Sequence, residues 1–222
     1  MDVAIAGGHG KIARRLTRLL VAGGDRVRGI IRNPAHRDDL LADGAIPIVC
    51  DLETAGDDDI DVAVAGADAI VFAAGAGPGS GAGRKLTVDY GAAKRLVDAA
   101  LRAGTRRYVL ISAVGTDDPP DGDDVFAVYL RAKARAETEL RAAGLDHTIV
   151  RPGSLSDDNG TGKVRIERQV PRGEITRDDV AEVLVDVLHE PGTVRRTFEV
   201  IGGETPVRGA VAAVEVRIPP DG

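Results

Sequence analysis

Tyr129 and Lys133 lie four residues apart in a segment of helical apolar spacing, which sets both side chains on one face, one turn apart. An unperturbed phenol has a pKa of about 10 and exchanges protons poorly near neutrality. An ammonium within ~4–6 Å favours the phenolate and lowers that value, and Lys133 is the cation in place to do so. Ser112 follows the apolar run 108–111, where a strand would end and a hydroxyl could hold a substrate oxygen. The chemistry that suits these residue types is proton delivery during hydride transfer. Ser112 hydrogen-bonds the substrate oxygen, Tyr129 passes it a proton, and Lys133 steadies the phenol and the ribose of a nicotinamide cofactor.

A nicotinamide needs a seat, and the N-terminal stretch has the composition of one. Val3-Ala4-Ile5-Ala6 runs into Gly7-Gly8-His9-Gly10-Lys11-Ile12, and Ile12, Leu16, Leu19 and Leu20 then recur at helical spacing. A buried strand that ends in glycines and opens a helix reads as a dinucleotide loop. Gly7 permits the tight turn and Gly10 the close approach of backbone to pyrophosphate, while Ala13 takes the place of a third glycine. The first turn of the helix, at Lys11 and Ile12, offers free N–H groups to phosphate. His9 belongs to this loop as a neighbour of phosphate rather than as a catalyst. About 20 residues on, an NAD site usually carries an acid for the ribose hydroxyls. Here the second strand, 26–31, ends in Arg32-Asn33-Pro34 with no carboxylate in 30–34. A guanidinium suits a 2′-phosphate, so NADP(H) is expected over NAD(H).

The elements that must position these groups alternate strand and helix through residue 150. A helix over 35–42 leads to a third strand, 45–49, followed by Cys50-Asp51-Leu52. Asp51 there either borders the adenine or caps the next turn. After a helix at 57–64, the fourth strand (69–72) empties into Ala73-Ala74-Gly75, small residues that let backbone lie against a ligand. One long helix is expected over 84–103, with Leu86, Tyr90, Ala93, Val97 and Ala100 on its buried face. Then come a fifth strand at 108–111, an acidic loop at 116–124, the helix carrying Tyr129 over 125–143, and a sixth strand at 147–150. This is the pattern of an α/β, Rossmann-like, doubly wound parallel sheet. Residues 1–222 read as one domain, with a cofactor-binding core at 1–153 and a small substrate-covering region at 154–222. In the latter, 154–172 forms a lid hinged at Gly160 and Gly162, Thr176 caps a helix reaching 189, and 198–201 is a late strand. A short helix over 206–214 and a frayed tail from 217 complete it.

Composition narrows the partners. With 29 basic against 35 acidic residues the net charge is −6, which argues against a sequence-independent nucleic-acid surface. The single cysteine, Cys50, ends an apolar run and reads as a buried, inert thiol. His36, His147 and His189 have no ligands at metal spacing, so no metal is expected. No membrane-length apolar run and no leader pattern occur, so the expectation is a cytoplasmic protein, monomer or homodimer, acting on a small molecule.

Gly7-Gly8-His9-Gly10-Lys11-Ile12-Ala13-Arg14, Arg32-Asn33-Pro34, Val109-Leu110-Ile111-Ser112-Ala113, Tyr129-x-x-x-Lys133, Val150-Arg151-Pro152-Gly153 and Ile175-Thr176-Arg177-Asp178-Asp179-Val180-Ala181 resemble an atypical short-chain dehydrogenase/reductase. The likeness is to the small NmrA-like and flavin/biliverdin-reductase-like groups, over residues 1–205. The resemblance implies that Pro152 and Gly153 border the nicotinamide and that Arg32 reads the NADP phosphate. Two positions depart from the pattern: Ala73-Ala74-Gly75 replaces the usual Asn-Asn-Ala-Gly, and Asp89 stands near where an asparagine is common. The leading expectation is an NADP(H)-dependent oxidoreductase acting on a small carbonyl, quinone or similar acceptor. Its rivals are a non-catalytic NADP(H)-sensing regulator and an epimerase or dehydratase with transient hydride transfer.

Overall fold

The computed structural model describes residues 1–77 and 79–221; Pro78, in the small-residue loop, and Gly222 lie outside the described residues. Six parallel strands form the centre: β1 (Asp2–Ala6), β2 (Arg26–Ile31), β3 (Ile46–Val49), β4 (Ala69–Phe72), β5 (Arg107–Ile111) and β6 (Asp146–Pro152). Their spatial order is 3-2-1-4-5-6, the doubly wound arrangement. The strands are short and apolar because both faces are covered. Val3 and Ile5 face one core with Leu16 and Leu20, whereas Ala4 and Ala6 face the other with Ile60 and Leu96. The first core is closed by α1 (Lys11–Ala22), with α2 (Arg37–Ala42) at its edge through Leu40, and the second by α3 (Asp57–Val64). Strand order reverses between β1 and β4. Their carboxyl ends therefore diverge into a crevice, and Gly7 and Ala73 are the residues that enter it.

The long helix expected over 84–103 is three pieces: α4 (Gly81–Arg84), a π-helical segment Lys85–Ala92, and α5 (Ala93–Ala103). A π turn holds more residues than an α turn and rotates the register of the residues after it. Leu86, expected inside, is 44% exposed, while Lys85, Val88 and Asp89 are buried. After β5, Asp124 caps α6 (Val125–Ala142) by accepting from the N–H groups of Phe126 and Ala127.

The C-terminal part adds more sheet than cover. Beyond β7 (Ser154–Ser156) come β8 (Lys163–Glu167), β9 (Glu174–Thr176), α7 (Arg177–His189), β10 (Arg196–Gly202), β11 (Thr205–Pro206), α8 (Val207–Ala212) and α9 (Val214–Arg217). β10 joins β6 in parallel, and β8 and β11 follow antiparallel, giving nine described strands in one sheet. Lys163–Glu167, expected within the lid, is thus a sheet strand. The cover is reduced to β7, its partner β9 and the turn between β7 and β8. The supposed hinges are pinned, since Asp178 accepts from the Gly160 N–H and Asp179 from that of Gly162. Thr176 does cap α7, accepting from the Asp179 N–H at 3.0 Å. The tail is not frayed at Asp221, whose carboxylate binds His147 at 3.0 Å and Thr197 at 2.7 Å. No described helix is long and apolar enough to cross a membrane.

Candidate active site

The glycine turn is shaped by contacts that exclude side chains. Gly7 has φ +75°, and a Cβ there would stand 2.7 Å from the Ala74 Cα; at Gly8 it would stand 2.8 Å from the Gly29 Cα. The Gly10 N–H donates to the Gly7 carbonyl at 2.8 Å, and no side chain caps the start of α1. The first-turn N–H groups therefore face the crevice with the positive end of the helix dipole behind them, a seat that fits a pyrophosphate. The side chain of Lys11 turns away from this seat: its Nζ donates to Asp157 at 2.5 Å, beyond β7. Ile12 points instead into the cavity on the other side of the turn.

Two cavities of about 330 Å³ each flank the turn and share Ala73, Ala74 and Gly75. The first holds the expected adenosine-end residues Arg32, Asp51 and Leu52, together with Cys50. Arg32 is exposed, and its nearest carboxylate is Glu53 at 3.8 Å. The local sequence shows no acid there, but the turn after β3 brings one in. Glu53 is already engaged by Arg84 and by Thr87 at 2.7 Å. Asp51 accepts from the Glu53 N–H at 3.0 Å, which is the turn-capping role of its two expected alternatives. Asn33 accepts from the Ala35 N–H at 3.0 Å, and so its side chain shapes the turn rather than lining the cavity. His9 stacks on His36 with centroids 3.6 Å apart, its Nε2 2.8 Å from Asp39. His36, Glu53 and Arg84 belong to no local motif, since separate loops and a helix deliver them.

The second cavity brings together Ser112, Tyr129, Lys133, Pro152 and Gly153, the expected chemical end. The geometry among them differs from expectation in two respects. Ser112 donates its hydroxyl proton to Glu137 at 2.5 Å, so only its lone pairs remain and it cannot donate to a substrate oxygen. Glu137, 1% exposed, also accepts from Thr116, Arg141 and Arg151, and Arg151 is itself buried. The helix spacing held the signal for Glu137: Tyr129, Lys133, Glu137 and Arg141 follow one another at intervals of four along α6.

Lys133 is the second difference. Its Nζ donates to the Ile111 carbonyl at 3.0 Å, stands 3.5 Å from Asp89 and lies 5.9 Å from the centre of the Tyr129 ring. The lysine is held by those two groups, and the phenol is not converted to a base. Burial, followed by the nearby Asp89 carboxylate, pushes the Tyr129 phenol above its ordinary value, the reverse of the expected lowering. The arrangement is chemically that of a protonated phenol on the wall of a cavity that also carries Lys85, Asp89 and Lys133, beside the groove at the glycine turn.

The chain is 35% identical over 212 residues to the Bacillus subtilis sugar epimerase YhfK, itself uncharacterized, covering 95% of this chain and 99% of that protein. A solved structure from Bacillus halodurans, provisionally described as an NAD-dependent epimerase/dehydratase, is 37% identical with a TM-score of 0.89, over 95% of this chain and 98% of its own. The anaerobilin reductase ChuY of Escherichia coli O157:H7 shares the fold, with 24% identity and a TM-score of 0.78 over 92% of this chain and 98% of its own. The glycine turn and both cavities fall within residues 7–191, the span matched by the NAD(P)H-binding family, and the chain belongs to that family.

Proposed function

We propose that the protein is an NADP(H)-dependent oxidoreductase that reduces a small carbonyl, quinone or similar acceptor in the second cavity. The observation that carries this reading is the union of the two cavities through Ala73, Ala74 and Gly75, with the Tyr129 phenol on the wall of the second. When bound, the cofactor supplies a hydride. The first turn of α1 and the glycine turn would hold its pyrophosphate, Arg32 its 2′-phosphate, and Pro152 and Gly153 would border the reacting ring. Tyr129 gives its phenolic proton to the acceptor oxygen and recovers one from solvent.

A phenol kept protonated is an acid. It suits reduction better than the oxidation with which an epimerase begins, because that step needs a base. A second reading, a cofactor sensor without turnover, is favoured by the Ser112 proton already being committed to Glu137. NADPH oxidation measured against aldehydes, ketones, quinones and flavins separates the two. Turnover that falls in Tyr129→Phe supports the reductase with this proton donor. The absence of any reduced acceptor refutes it in favour of the sensor.

A further inference from the structure

We infer that Asp89, by opposing Lys133, sets how tightly Tyr129 holds its proton: it keeps the phenol neutral and disfavours its phenolate. The inference rests on Tyr129 being the proton-bearing group of the proposed reductase. Asp89 is 1% exposed and is carried into the site by the π-helical segment. Its Oδ2 accepts from the Ala76 N–H at 3.2 Å. Its Oδ1 is buried without a hydrogen-bond partner among the described residues and faces the Lys133 Nζ at 3.5 Å. A Cβ on Gly75 would come within 3.2 Å of that oxygen, so the small-residue loop is what leaves it room.

Charged and polar groups reach the phenol from each neighbouring element. Lys133 comes from its own helix, Asp89 and Lys85 from the π-helical segment, and Ser112 from the end of β5. Lys85 lies 5.3 Å from the centre of the ring, but its Nζ donates to the Gly77 carbonyl at 2.8 Å. Arg84, just before the segment, is tied to Glu53, and Ser112 to Glu137. The one ammonium buried beside Tyr129 on α6 is therefore balanced by Asp89. Ionising the phenol would add a second negative charge next to that carboxylate, in surroundings that screen it poorly.

In the reductive direction the acceptor carbon takes the hydride and its oxygen takes the phenolic proton, giving an alcohol and the oxidised cofactor. The phenolate left behind is also the base of the reverse reaction, so Asp89, by disfavouring it, weighs on proton transfer in both directions. The Asp89→Asn variant removes the charge, while its amide oxygen can still accept from Ala76. With tyrosines labelled at Cζ with ¹³C, and Tyr129 assigned by its loss in Tyr129→Phe, NMR titration reads the phenol directly. In the parent, Tyr129 should hold its proton beyond the ordinary tyrosine range. In Asp89→Asn it should titrate at least about one pH unit lower. Lys133→Met should move the phenol the other way, and the double variant should return it towards the parent. Unchanged titration of Tyr129 in Asp89→Asn, or in Lys133→Met should the first not fold, overturns the inference whether or not the protein turns over. A phenol that shifts as expected in a protein that reduces no acceptor overturns the reductase and leaves the hold of Asp89 on Tyr129 standing.

Discussion

Ser112 and Tyr129 line the same cavity but have different partners. Ser112 is bonded to Glu137, and Glu137 to two arginines, so the serine acts on the fold before it can act on a ligand. Ser112→Ala should lower the unfolding free energy by about 1–3 kcal/mol in urea melts, the usual cost of leaving a buried charged acceptor short of a donor. A turnover loss comparable to that of Tyr129→Phe would return the serine to the chemistry. Tyr129→Phe keeps the ring, which lies 6.1 Å from that of Phe126, and removes the proton. Turnover should drop about 10²–10⁴-fold with NADPH affinity nearly unchanged, as read from steady-state kinetics beside a binding titration. At the other end of the groove, Arg32→Ala should weaken NADPH selectively, by roughly tenfold or more, and leave NADH alone. Equal binding of both cofactors by the unaltered protein would remove Arg32 as the discriminator.

Strand, turn and helix meet closely at the glycine loop. Gly10→Val places a branched side chain in the seat left for pyrophosphate, with its Cβ 3.1 Å from the Gly7 carbonyl. Fluorescence titration should show NADPH binding lost while circular dichroism keeps the parent signal; normal binding would refute the loop assignment. This part of the fold is legible in the sequence because every cue is local: an apolar run, glycines, then helical spacing. The order of the six parallel strands accords with the same alternation. The π-helical segment is not legible, since the apolar residues of 84–103 fit an α-helix well and nothing in them announces a wider turn. Without that turn Asp89 has no place inside, and Lys133 reads as a partner for Tyr129 alone. Glu53 escapes for another reason, since its nearness to Arg32 is made by tertiary packing that no spacing encodes.

At the scale of the whole molecule, the C-terminal segment closes the sheet's far edge and its last described residue is a working part. The Asp221 carboxyl is pushed up by burial but, on balance, held below its ordinary value by hydrogen bonds from His147 and Thr197 and by Arg141. A lowered native pKa gives stability that is present above the unfolded value, about 4, and is lost as pH falls through the native one. The destabilisation of Asp221→Asn in urea melts should therefore be clear at neutral pH and shrink towards zero in acid; a penalty independent of pH would assign the residue's contribution to shape rather than charge.

Asp157 has a consequence for traffic through the groove. The backbone leaves the reacting end at Gly153, passes through β7, and at Asp157 meets Lys11 and Arg15 on α1, with Arg177 pressing from α7. Peptide bonds on one side and ion pairs on the other make a buckled belt beside the second cavity, whose wall includes Ile12 of α1 and Leu155 of β7. A ligand that fills the second cavity would lie against this belt, and its release would be eased when the buckle opens. Added salt screens exposed pairs and should open it more often. Release of NADPH, followed by stopped-flow fluorescence, is then expected to quicken with ionic strength in the parent. In Asp157→Asn it should be fast at low salt and respond less.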